Sequence, residues 1–85
     1  MPKNSKIPFA EFLRFLQGLG YKAKRSDKVW VVYRSKDDLL AYRLYGDTDT
    51  VTEGDLWYTR RYLDLRGVLA EDDFDAFVRE AATPA

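Results

Sequence analysis

From Pro8 onward the apolar residues of this chain keep a helical period, and at Gly20 that period switches to two. Phe9, Phe12, Leu13 and Leu16 recur at i, i+3, i+4 and i+7, one face of a helix, and Phe15 and Leu19 widen it. Pro8 suits the first turn, where its missing N–H has no partner to lose. Gly18 and Gly20 supply the stop, with Gly20 placed for a left-handed cap. The spacing predicts a helix over 8–18. Beyond Gly20, Tyr21, Ala23 and Arg25 alternate with Lys22 and Lys24, as in a strand. Ser26-Asp27-Lys28 reads as a turn. Val29 to Arg34, β-branched and aromatic, is a second strand, and Leu39 to Tyr45 a third, closed by Gly46-Asp47. Loops this short imply an antiparallel meander.

Helical signals return after a polar stretch. Thr50-Val51-Thr52-Glu53 and Thr52-x-x-Asp55 both have the spacing of a capping box. A helix is predicted from there to about Arg66, with Leu56 and Leu63 on one side, Tyr58, Tyr62 and Leu65 on an adjoining one, and Gly67 as its end. Glu71, Asp72 and Asp73 put negative charge at the start of a third helix, as the macrodipole favours. Phe74, Phe77, Val78 and Ala81 are its apolar face. The expected fold is α+β in the order α-β-β-β-α-α: a small three-stranded antiparallel sheet with helices packed on one face.

A chain of 85 residues suffices for one domain. The expectation is a single domain over 7–82, with a disordered N-terminal tail at 1–6 and a short tail at 83–85. No apolar signal region follows the polar start, and no apolar run approaches the ~18–20 residues that span a bilayer. A cytoplasmic protein without membrane contact is expected. There is no cysteine and no histidine. That removes disulfides, Cys or His metal ligands, thiol nucleophiles and imidazole bases.

Both faces of the expected sheet are apolar. Trp30 and Val32 oppose Val29, Val31 and Tyr33; Leu39, Ala41 and Tyr45 oppose Leu40, Tyr42 and Leu44. A sheet with helices on one side normally shows a polar outer face. The excess implies either further cover by the last helix or tail, or a surface for self-association.

Fourteen basic residues balance fourteen acidic ones, but not along the chain. Residues 1–36 hold nine Lys/Arg against two acids, a net of +7, and residues 37–85 hold five against twelve, a net of −7. Lys22, Lys24, Arg25 and Lys28 crowd one hairpin. They are either a phosphate-contacting edge, with Trp30 offering a ring to a base or sugar and Arg34 a further cation, or lysines that keep an edge strand from aggregating. Arg60 and Arg61 form a second candidate. Arg60 is also spaced to pair with Asp64 at i+4 on a solvated helix face, and Trp57, Tyr58 and Tyr62 beside it read as core and shelf residues or, alternatively, stacking platforms.

No catalytic constellation stands out. Gly18-Leu19-Gly20 is too short to cradle a phosphate. Asp47-Thr48-Asp49-Thr50 faintly resembles an oxygen-ligand loop but lacks the glycine and the terminal glutamate of an EF-hand. Ser5, Ser26 and Ser35 have no histidine partner, and every lysine sits in a polar run. No catalytic residue, metal ligand or cofactor is assigned.

Several short motifs resemble the HicA family, the small toxins of HicA–HicB toxin–antitoxin systems. Phe12-Leu13-x-Phe15-Leu16 leading into Leu19-Gly20-Tyr21 is similar to the family's first helix and Gly-aromatic step. Arg25, Val31-Val32-Tyr33-Arg34, Gly54-Asp55-Leu56, Gly67-Val68 and Glu71-Asp72-Asp73-Phe74 continue the likeness. The resemblance implies a double-stranded-RNA-binding-domain-like fold and, in the family, mRNA cleavage through a histidine. Counted without gaps from Gly20, the family's Gly-Ser-His falls on Lys28, Val29 and Trp30. An indole does not shuttle protons near neutral pH, so the expectation is a HicA-like domain that binds without cleaving. The expected partner is RNA or DNA on hairpin 22–28. The alternative is a second copy or an antitoxin-like protein on the apolar sheet or its edge.

Overall fold

The computed structural model describes residues 6–81, so residues 1–5 and 82–85, which hold most of the two expected tails, lie outside the described residues. The elements are α1 (Phe9–Gly18), β1 (Lys22–Arg25), β2 (Trp30–Ser35), β3 (Asp38–Tyr42), α2 (Glu53–Leu65) and α3 (Glu71–Ala81). This is the expected order, with one antiparallel sheet in the order β1-β2-β3. The chain divides into two compact units, Pro8–Asp49 and the described parts of Met1–Ile7 and Thr50–Ala85. No helix among the described residues is long and apolar enough to cross a membrane.

In the first unit, α1 begins without a side-chain cap, because Pro8 has none to offer. Its first N–H groups would be orphans. The Phe9 N–H instead donates to the Asp49 carbonyl at 2.8 Å, and the Ala10 N–H to that of Asp47 at 3.1 Å. The Asp49 side chain holds the same loop closed by accepting the Gly46 N–H at 2.7 Å. The acidic loop 47–49 therefore serves as the cap that the helix lacks. At the other end Gly20 has φ 101°. Its N–H donates to Gln17, and the N–H of Tyr21 to Leu16. This is a Schellman closure, and both Leu16 and Tyr21, whose backbones it joins, are buried.

The register pairs Ala23 with Val32 and Arg25 with Trp30, then Val32 with Leu40 and Trp30 with Tyr42. These residues share one face, on which Val32, Leu40 and Tyr42 are buried. Phe9 and Phe12 of α1 cover it, with ring centroids 6.5 and 5.5 Å from Tyr42 and with Phe9 5.4 Å from Trp30. The third strand stops at Tyr42, three residues before the predicted end. The Tyr45 N–H donates to the Arg43 carbonyl at 2.7 Å, a γ-turn that breaks the alternation. Tyr45 is consequently buried, stacked on Phe9 at 5.0 Å, rather than placed on the outer face as its spacing implies.

In the second unit the Thr52 side chain accepts the Asp55 N–H at 3.2 Å, as the capping spacing predicts. Gly67, at φ 70°, closes α2 with the same two bonds seen at Gly20, from Gly67 to Asp64 and from Val68 to Leu63. Leu56, Thr59 and Leu63 of α2 and Phe74 and Val78 of α3 are buried. Thr59 satisfies its hydroxyl within the helix, donating to the Asp55 carbonyl at 2.8 Å.

The two glycines of α1 make a contrasting pair. Gly20→Ala is expected to destabilise the protein by about 1–2 kcal/mol, because a Cβ disfavours the left-handed conformation. Gly18→Ala, at a helical position with nothing within 4 Å of the added carbon, should be neutral or stabilise by up to ~1 kcal/mol. Urea midpoints of the two variants check the difference in sign.

Candidate functional site

The β1–β2 hairpin carries four of the predicted contact residues. Ser26 sets its turn. The Ser26 side chain accepts the N–H of Val29 at 3.0 Å and of Lys28 at 3.3 Å, and its backbone N–H donates to the Val29 carbonyl at 2.9 Å. The pleat then sorts the cations. Lys22 pairs with Tyr33 and Lys24 with Val31, so both lysines share the outer face with Tyr33, Val31, Leu39 and Ala41. Arg25 belongs to the opposite face and Lys28 to the turn. All four are exposed, and among the described residues none of them is in an ion pair.

Trp30 and Arg34 are engaged in the fold. The Trp30 indole N–H donates to the Tyr45 carbonyl at 3.1 Å while its ring lies against Phe9. Arg34 lies at a bulge, where the register steps from Tyr33 opposite Leu39 to Ser35 opposite Asp38. Its Nε donates to Asp38 Oδ2 at 2.6 Å, and its guanidinium sits over the Tyr21 ring at 5.1 Å. The Tyr21 hydroxyl donates to the other Asp38 oxygen at 2.9 Å. Asp38 is buried, and these donors are what a buried carboxylate requires. Neither Trp30 nor Arg34 joins the exposed cations of the hairpin.

The second candidate pair is also divided. Arg60 does not pair with Asp64, as i+4 spacing implies. It reaches α3, where Nε and one terminal nitrogen donate to both Asp75 oxygens at 2.8 and 3.0 Å and the other to Glu71 at 2.8 Å. Its guanidinium also lies over the Trp57 ring at 4.9 Å. Glu71 and Asp75 are one helical turn apart, so α3 presents a two-carboxylate clamp to one planar fork. The hydrogen bond from Arg60 holds the Asp75 carboxyl below its ordinary value of 3.8, against the opposing effect of burial. The same bond raises the already high Arg60 value. Arg61 stays exposed. With Trp57, Tyr58, Tyr62, Leu65, Arg60 and Glu71 it lines an open concavity of about 670 Å³.

The concavity itself was not legible in the sequence, which left Trp57 and Tyr58 open between core or shelf residues and stacking platforms; they remain 45% and 44% exposed. A signal for that exposure was present: both stand outside the arc of Leu56, Thr59 and Leu63 at about 100° per residue. Tyr58 keeps its proton to higher pH than an ordinary phenol, through partial burial and the nearby Asp55 charge. Comparison with protein-family models, with curated proteins and with solved structures gave no match.

The clamp predicts an acid dependence. Asp75 has a lowered value in the folded state, so its contribution is complete above pH 3.8 and disappears as pH falls through the folded value. Arg60→Ala, which removes both Arg60 bonds to Asp75, should cost about 2–3 kcal/mol near pH 7. In urea titrations its deficit relative to the parent should shrink once the pH drops well below 3.8.

Proposed function

We propose that this protein is a non-catalytic, HicA-like domain that binds RNA or DNA through the β1–β2 hairpin. The observation that carries the reading is the state of Lys22, Lys24, Arg25 and Lys28: four exposed cations on one hairpin, with no ion pair among the described residues. Cations held this way release counterions from a phosphate chain at little cost, since no internal partner has to be given up. On the outer face Lys22 lies directly opposite Tyr33 and Lys24 diagonally across from it, an arrangement of basic and aromatic groups that suits a single strand. The motif resemblance points the same way. Trp30 stands where the family keeps its histidine, and its indole is used for packing and for the bond to Tyr45, so the reading is binding without cleavage.

A second reading, a protein-interaction face, is favoured by Val31, Tyr33 and Leu39 on the same outer face, with Leu39 45% exposed. An antitoxin-like partner or a second copy would cover it.

Fluorescence anisotropy with short labelled single strands and duplexes tests the first reading. Binding is expected at about 50 mM salt, and four phosphate contacts give a slope of log K against log salt of about −2.8 to −3.6. Lys22→Ala with Lys24→Ala should flatten that slope by about 1.4–1.8 without altering the fold, since both side chains are exposed. An absence of binding to every probe at about 50 mM salt overturns the proposal.

A further inference from the structure

Helix α2 is apolar on two faces. Leu56 and Leu63 are buried, while Trp57, Tyr58 and Leu65 stay exposed, Leu65 at 72%. At about 100° per residue Gly54, Tyr58, Arg61 and Leu65 fall on one outer stripe, with Trp57 along its edge. Trp, Tyr and Arg are the residues that most often anchor protein interfaces.

We infer that this stripe is a homodimer seam, along which two copies pack their α2 helices antiparallel about a two-fold axis between Thr59 and Arg60. The stripe is self-complementary in that arrangement. Residues equidistant from the axis meet, so the Leu65 side chain of one copy lies over Gly54 of the second. A carbon added at Gly54 meets nothing within 4 Å in the single chain, which is the space Leu65 fills. Arg61 of one copy lies over the second copy's Tyr58 ring, a cation–π contact. Asp55 in the first turn and Arg66 at the C-cap stand on one flank of the stripe. Antiparallel pairing brings each to within two residues of the other, about 3 Å along the helix on that flank, twice by symmetry, with Arg66 also lying over its own Tyr62 ring at 5.2 Å, and it opposes the two helix dipoles favourably. A parallel pairing would place like charges together. A partner with a different sequence is not needed to complete any of these contacts.

Thirteen residues of helix give a seam about 20 Å long. A two-helix contact of that length lies below the ~1,200 Å² of a standard interface, so the dimer is expected to be weak.

Sedimentation equilibrium of the full chain from low micromolar to millimolar concentration tests the inference. The mass should rise from the 9.9 kDa of one chain towards twice that value. Leu65→Glu should weaken association at least tenfold while circular dichroism stays unchanged, as expected for so exposed a side chain. Gly54→Gln separates the seam from helix stability. It should raise the melting temperature of the dilute protein, because glutamine is the better helix former, and yet weaken the dimer by blocking the seat of Leu65. A strictly 9.9 kDa species at millimolar concentration overturns the inference. So does a dimer that survives both substitutions, or one lost instead on Leu39→Glu, which would assign association to the sheet.

Discussion

Phe9 opens the first helix with a ring that contacts four others: Phe12, Trp30, Tyr42 and Tyr45. Each such pair contributes about 0.5–1.5 kcal/mol beyond the area it buries. The geometry depends on an absent cap. Pro8 offers no acceptor to the start of α1, so the backbone of the 47–49 loop is drawn onto it. That docking brings Tyr45 over Phe9, and the Tyr45 carbonyl in turn receives the Trp30 indole. One deficiency at a helix terminus thus organises the closed side of the sheet.

The polar clusters follow a common rule in both units. Arg34 is held by buried Asp38 and by the Tyr21 ring; Arg60 is held by Asp75, Glu71 and the Trp57 ring. In each, a planar guanidinium meets a largely buried carboxylate with an aromatic face beneath, a geometry that lysine cannot supply. The consequence for function is a sorting of the cations. Arg34 and Arg60, which look available in the sequence, are committed internally, while Lys22, Lys24, Arg25 and Lys28 remain exposed and outside any ion pair among the described residues. The +7 and −7 halves therefore overstate the charge that any partner meets.

Much of the fold was legible in advance. The helix ends at Thr52, Gly20 and Gly67 were readable because their caps and closures are local: Thr52 bonds three residues ahead, and Gly20 and Gly67 each close the turn they follow. The β2 strand and the hairpin turn were readable from β-branched density and from Ser26. The candidate site was less so. Period two places Lys22 and Lys24 on one face and Arg25 on the other, but a cluster in sequence is not a cluster on a surface, and Trp30 looked available until its two contacts in the closed face were known.

The sequence by itself determined the element order, the local caps and closures at Thr52, Gly20 and Gly67, and the opposing faces of each strand, because these depend on periodicity and on hydrogen bonds spanning five residues or fewer, whereas the start of α1 is capped by the distant 47–49 loop. Only the tertiary structure decided where long side chains go. Arg60 passes over Asp64, its neighbour in sequence, and takes Asp75, fifteen residues away. Tyr45 turns inward on a γ-turn, and Trp57 and Tyr58 stay outside. The reason is physical: a guanidinium or a ring settles where burial, planarity and remaining partners coincide in space, and that coincidence exists only once distant segments have been brought together.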